Sequence, residues 1–144
     1  MTQSDTEAFK WYRLAAEQGD ANAQNNLGLM YENGQGVRKD DAEAARWYRL
    51  AAAQGAATSL FRLGVQYYAG SGVASDPIAA NALLSLAAAA GETRAQQYLD
   101  RGAKLTAPAD IEKAARLRAA MSRPGNLLDA LDRHEETAQR GDGG

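Results

Sequence analysis

The chain has no cysteine, three prolines and one histidine in 144 residues. Without cysteine there are no disulfides, no thiolate-held zinc and no cysteine nucleophile, in whatever compartment the protein works. So few prolines leave long stretches free to stay helical, and nothing reads as a strand-rich fold. Charge of one sign is also missing: 16 Lys and Arg are interspersed with 18 Asp and Glu for a net charge of -2. Nucleic acid and anionic membrane surfaces, which need clustered basic residues, are therefore not expected as partners. There is no long apolar run. Met1 to Lys10 is polar, with no signal peptide or membrane span visible. That makes the cytoplasm the default compartment, although a mature periplasmic or secreted form would read the same. What is present is alanine, leucine and 24% charged residues, a helix-favouring composition at the length of one domain.

Displacing the sequence by 36 residues places Gly19 on Gly55 and Gly91, Leu27 on Leu63 and Leu99, Gly28 on Gly64, Tyr31 on Tyr67, and Gly34-x-Gly36-Val37 on Gly70-x-Gly72-Val73. Fourteen of the 36 positions of Asp20–Gly55 recur in Ala56–Gly91, and nine of the twelve in Ala8–Gly19 recur in Ala44–Gly55, including Trp11/Trp47 and Tyr12/Tyr48. A fixed period of this length marks a stacked repeat architecture.

Each unit reads as two helices. In the first, A, over about Ala21–Asn33, the residues Ala23, Leu27, Met30 and Tyr31 share one stripe. Gly34 ends it in a left-handed cap, and Gly36 lets the chain turn back. The second helix, B, starts at Asp76-Pro77, with Asp as N-cap and Pro in the first helical position. The period carries that start to Asp40 and Ser4, where Asp40-x-x-Glu43 and Ser4-x-x-Glu7 have capping-box spacing. Helix B ends at Gly55 and Gly91. Gly28 and Gly64, with Ala44, Ala51, Ala52, Ala80, Ala87 and Ala88, suggest close helix crossings, around which Tyr31, Tyr67, Trp11, Trp47 and Tyr48 fill space. One unit alone could not bury these rings, so neighbours must stack.

The run Ala21-x-Ala23-Gln24-x-x-Leu27-Gly28-x-x-Tyr31-x-x-Gly34-x-Gly36-Val37-x-x-Asp40, then Ala44-x-x-Trp47-Tyr48-x-x-Ala51-Ala52-x-Gln54-Gly55, resembles the Sel1-like repeat (SLR), a relative of the tetratricopeptide repeat. The resemblance covers roughly Ser4 to Lys104. The second repeat departs from it at Leu83-Leu84, in place of Trp-Tyr, and the third has Asp100 where the helix A glycine is expected. It implies an all-α, right-handed α-solenoid of about eight helices, a bacterial origin, and an adaptor or scaffold role without a fixed ligand.

The expected organisation is a repeat array over 1–104, made of a half repeat 4–19, repeats 20–55 and 56–91, and a decayed, capping repeat 92–104. Capping helices follow over 105–138 and a disordered tail over 139–144. Thr106-Ala-Pro108 signals a helix start, with Ile111, Ala114, Leu117 and Met121 at helical spacing; Asn126 is placed to cap a further helix holding Leu127, Leu128 and Leu131.

Candidate chemistry is sparse. Gly34-Gln-Gly36 and Gly70-Ser-Gly72 lack the preceding strand and third glycine of a dinucleotide loop, and read as turns. His134, in a polar helix, reads as a solvated side chain and not as a metal ligand or triad member. Asp40-Asp41 and Asp76 read as caps. Some members of the resembling family are described as β-lactamases, but no Ser-x-x-Lys occurs here. No metal, cofactor or enzymatic activity is expected.

The helix A residues facing away from the core stripe are Asn25, Leu29 and Glu32, then Phe61, Val65 and Tyr68, then Gln97, Arg101 and Lys104. Family geometry lines a concave surface with this arc, whose middle repeat is apolar. Phe61, Val65, Tyr68, Leu29, Asn25 and Arg101 are thus candidate contacts for a protein or peptide partner. The helix from Asn126 could equally fold back and cover Phe61, Val65 and Tyr68. Phe9 and Trp11, on a helix B that has no helix A of its own, mark an edge open to self-association, the alternative role being that of a structural segment in a larger repeat protein.

Overall fold

The computed structural model describes residues 3–105 and 107–141. It is built of eight helices: α1 (Gln3–Glu17), α2 (Ala21–Asn33), α3 (Asp41–Ala53), α4 (Ala57–Ala69), α5 (Pro77–Ala89), α6 (Ala95–Leu105), α7 (Pro108–Met121) and α8 (Leu127–Gln139). No strand occurs among the described residues. Helices α2/α3 and α4/α5 form the two hairpins that the period demands, with α1 against α2 and α3 against α4. After α6 the chain reverses: α7 packs on α5, and α8 packs on α7 and reaches back to α3. The C-terminal pair thus covers the helix B side of the stack. Thr106 of the expected helix-start signal lies outside the described residues, as do the last three residues, 142–144, of the expected tail.

Local chemistry accounts for the helix ends. Asp40 Oδ1 accepts the Glu43 N–H at 3.1 Å, and Asp76 Oδ1 accepts those of Ile78 and Ala79, both at 3.1 Å. The reciprocal arm of the capping box is not formed. The Asp40 and Asp76 N–H groups donate instead to the Tyr31 and Tyr67 carbonyls at 2.9 Å, which ties the start of each helix B to the end of its helix A. Ser4 differs from the expected cap and lies inside α1, which is already helical at Gln3. No helix A precedes it among the described residues to draw its backbone out of the helix. Asn126 is no cap either: its backbone is αR, and its side-chain amide donates to the Ala120 carbonyl at 2.7 Å, bracing the α7–α8 turn.

The repeat glycines make room for specific neighbours. A Cβ on Gly28 would lie 2.5, 2.7 and 3.0 Å from ring atoms of Tyr48, and one on Gly64 would lie 2.8 and 3.0 Å from the Leu84 side chain. At Gly28 the close approach is of a side chain onto a helix backbone; at Gly64 the Leu84 backbone N also lies 3.3 Å from the Cβ position, so there the two helices themselves come close. Tyr48 and Leu84 stand 36 residues apart, so Leu84 fills in the second repeat the place Tyr48 fills in the first, which explains why the Trp-Tyr pair can be lost there. Both are buried, with Leu63, Tyr67, Leu83 and Leu131, in one core that runs from α3 to α8. A smaller cluster of Ala16, Ala23, Leu27 and Trp47 joins α1 to α2 and α3.

Candidate protein-docking site

The expected outward arc of the A helices is in part an inter-repeat seam. Asn25 accepts a hydrogen bond from the Ser59 hydroxyl at 2.8 Å, and Glu32 accepts from Tyr48 Oη and pairs with Arg62, both at 3.3 Å. Phe61, expected in the open, is buried, at 5% exposure. Its cover is not α8 but α6 and the turn before it: the Tyr98 ring meets it edge to face at 5.5 Å between centroids, and the Arg94 guanidinium sits 4.5 Å above its face. Tyr98 also meets Tyr68 edge to face at 6.0 Å, and Arg101 lies 5.9 Å over Tyr98. Leu29, Val65 and Tyr68 are half-buried, and Gln97 and Arg101 are exposed. The side chain of Lys104 lies outside the described residues.

What remains open is a groove of about 320 Å³ between α4 and α6, lined by Glu32, Phe61, Arg62, Val65, Arg94, Gln97 and Tyr98. Its floor is apolar and aromatic, and its rim carries both charge signs. Sequence reasoning missed Tyr98 and Arg94. Tyr98 falls in the register of Asn26 and Arg62, one position beside the arc, and the polar character of that row in the first two repeats hid it.

A second polar cluster lies on the helix B side, where α8 docks. Arg49 on α3 pairs with Asp132 and, at 3.3 Å, with Glu135; its Nη1 also donates to Tyr67 Oη at 3.4 Å. The Tyr67 hydroxyl donates to Glu135. Burial, and then that hydrogen bond, push the phenol well above its ordinary value. His134, read from the sequence as solvated, is half-buried, and its Nε2 donates to Asp76 Oδ2 at 2.8 Å. The aspartate that caps α5 is thereby also the anchor of α8. No group of three or more His, Asp or Glu side chains placed to hold a metal occurs among the described residues.

This contact makes α8 docking depend on pH. The hydrogen bond to Asp76 raises the His134 pKa against the opposing effect of burial. Burial acts against the Asp76 carboxylate, but His134 and the Ala79 and Ile78 N–H groups more than offset it and lower its pKa. The histidine contribution is therefore complete below its unfolded value of about 6.5 and is lost as pH rises through the folded value; the aspartate contribution is complete above about 3.9 and is lost as pH falls through the folded value. The pair stabilises α8 most between those limits. Because His134 is the only histidine, thermal unfolding followed from pH 6 to 8.5 is expected to show a falling midpoint. In His134→Ala, which loses about 1.5–3 kcal/mol at pH 6, the slope should vanish; an unchanged slope would refute the assignment.

Two-helix units stacked at a fixed period, with a helical pair closing one side, define a helical-repeat solenoid, a class built to present surface. The family model described as Sel1 repeat matches residues 1–20, 21–55 and 57–92, and the chain belongs to that family. Solved structures agree. A protective antigen of uropathogenic Escherichia coli displaying an SLR fold is 30% identical with a TM-score of 0.78, over 91% of this chain and 28% of that one. A Sel1 repeat protein from Oxalobacter formigenes is 40% identical with a TM-score of 0.63, over 65% of this chain and 39% of that one. Cysteine rich protein B of Helicobacter pylori is 32% identical with a TM-score of 0.60, over 63% and 68%. The chain therefore spans 28% and 39% of the length of the first two. No curated protein matched. Sel1 repeats generally mediate protein–protein interaction, and such helical-repeat folds are typically non-catalytic.

Proposed function

We propose that this chain is a non-catalytic adaptor that docks a peptide or domain of another protein in the groove between α4 and α6. The observation that carries the reading is the groove itself: an apolar floor of Val65 and Tyr98 under a rim of Glu32, Arg62, Arg94 and Gln97. An apolar centre with a rim of mixed charge suits a short segment anchored by one or two apolar side chains and oriented by polar ones. Phe61 supports that floor from beneath and does not touch the partner. A photocrosslinker placed at Gln97 is expected to capture one polypeptide that a crosslinker at Arg116, on the exposed face of α7, does not. Val65→Asp should cut that capture at least tenfold with the helical circular dichroism intact. Equal capture from both positions, or capture indifferent to Val65→Asp, would remove the groove from the account.

A second reading, self-association through α1, rests on Trp11 at 71% and Leu14 at 52% exposure, beside Tyr12 at 38%. The repeat counterparts Trp47 and Tyr48 are buried, at 7% and 0%. A concentration-dependent mass in sedimentation equilibrium that Trp11→Glu abolishes would favour this reading over the groove.

A further inference from the structure

The 36-residue period places three residues of the α8 dock one repeat earlier as well. Arg49, Tyr67 and Asp76 hold the Asp132–Glu135 segment of α8; their counterparts are Arg13, Tyr31 and Asp40. These three also come together. With Val37, Arg38, Glu43, Arg46 and Trp47 they line an open hollow of about 380 Å³. The Arg13 side chain is 56% exposed where that of Arg49 is 21% exposed. Trp47, on the wall, is 7% exposed, and its indole N–H is buried with no hydrogen-bond partner among the described residues.

We infer that this hollow is a second docking surface, and that its occupant is an acidic amphipathic helix of a partner protein, built on the pattern by which α8 fills the equivalent place. In α8 an apolar stripe of Leu127, Ala130 and Leu131 is buried, and Asp132 and Glu135, three residues apart, flank it to reach the arginine and the tyrosine hydroxyl. A helix presenting the same pattern meets at the first repeat the same arginine, tyrosine and capping aspartate. It also meets two arginines the filled site lacks, because Arg38 and Arg46 stand where the second repeat has Ala74 and Ala82, alongside two added carboxylates, Glu43 in place of Ala79 and Glu17 in place of Ala53, which pair with Arg46 at 3.3 Å and with Arg13 at 2.9 Å. Three arginines thus line the hollow, where in the filled site Arg49 meets the two carboxylates of α8. The α8 of a second copy is not the occupant. In each molecule α8 is held in its own dock by the short 122–126 turn, and exchanging it would break as many contacts as it made.

A synthetic peptide of residues 126–140 serves as the probe, titrated into the intact chain while the indole N–H resonances are followed by NMR; with two tryptophans in the chain, Trp47 is readily assigned. The Trp47 resonance is expected to shift saturably. Arg13→Glu, an exposed change, should weaken binding at least tenfold, Tyr31→Phe should weaken it severalfold, and a peptide with Asp132→Lys and Glu135→Lys should not bind. No saturable shift, a shift indifferent to Arg13→Glu, or shifts confined to residues around Tyr67 would overturn the inference, the last showing the peptide displacing α8. A dimer of the free chain that Arg13→Glu dissolves would also overturn it by making a second copy the occupant. The α4–α6 groove takes no part in any of these outcomes.

Discussion

Phe61→Asp is expected to abolish the cooperative folded state, whereas Val65→Asp, one helical turn further along α4, leaves it intact. The sequence places both on the same outward arc, so equal tolerance would be the natural guess. The structure separates them. Phe61 is 5% exposed, under the Tyr98 ring and the Arg94 guanidinium, whereas Val65 opens onto the groove. Emptying a buried phenylalanine site costs about 3–5 kcal/mol even with alanine. A carboxylate there adds a buried charge, and Arg94, the cation over that position, is already paired with Glu92. That loss is comparable with the whole stability of an ordinary small domain, about 5–15 kcal/mol. Urea denaturation followed by circular dichroism decides the matter. If Phe61→Asp unfolds at the same urea concentration as Val65→Asp, the aromatic seam between α4 and α6 is not part of the core.

Gly72→Ala is expected to cost about 3 kcal/mol, as about 1–2 for left-handed backbone plus about 1–3 for overpacking. Gly72 has φ +77°, and a Cβ there would press on the carbonyl of Asp41, at the start of the preceding helix B. A backbone carbonyl cannot move aside as a side chain can, so the second repeat would have to lift off the first. Gly55 is the internal control: its φ is also positive, at +84°, but no atom lies within 4 Å of its Cβ position. Gly55→Ala should therefore cost only the backbone share, about 1–2 kcal/mol. Denaturation midpoints for the two variants test this directly, and equal losses would mean that contact between repeats adds nothing at Gly72.

Much of this architecture was legible because its causes are local and recur. The Asp76-Pro77 start, the Asp40 cap, the glycines after α2 and α4, and the apolar stripe of α2 all depend on residues within one or two turns. The candidate surface was less legible. The candidate arc lies on the A helices, but whether Phe61 faces water depends on Tyr98 and Arg94, more than 30 residues away and off the repeat pattern. His134 misled for the same reason. Its neighbours in sequence are polar, and only the reversal of the chain after α6 brings it to Asp76. Ser4 shows the converse limit: its capping-box spacing is sound, yet it lies within α1, with no helix A before it among the described residues to hold its backbone extended.

The sequence by itself determined the repeat: its period, its helix starts at Asp40 and Asp76, the glycines that close each helix A, and hence an all-α stack. Those features are set by short-range hydrogen bonding and by which residues tolerate left-handed backbone. Only the tertiary structure decided which face is which. It placed α7 and α8 along the helix B side, where Asp132, His134 and Glu135 find Arg49, Asp76 and Tyr67, and so left the α4–α6 groove and the Arg13–Tyr31 hollow open. The physical reason is that exposure belongs to a residue's neighbours in space. A 36-residue period repeats the residues of a site faithfully, but it does not record which copy of that site the end of the chain will return to fill.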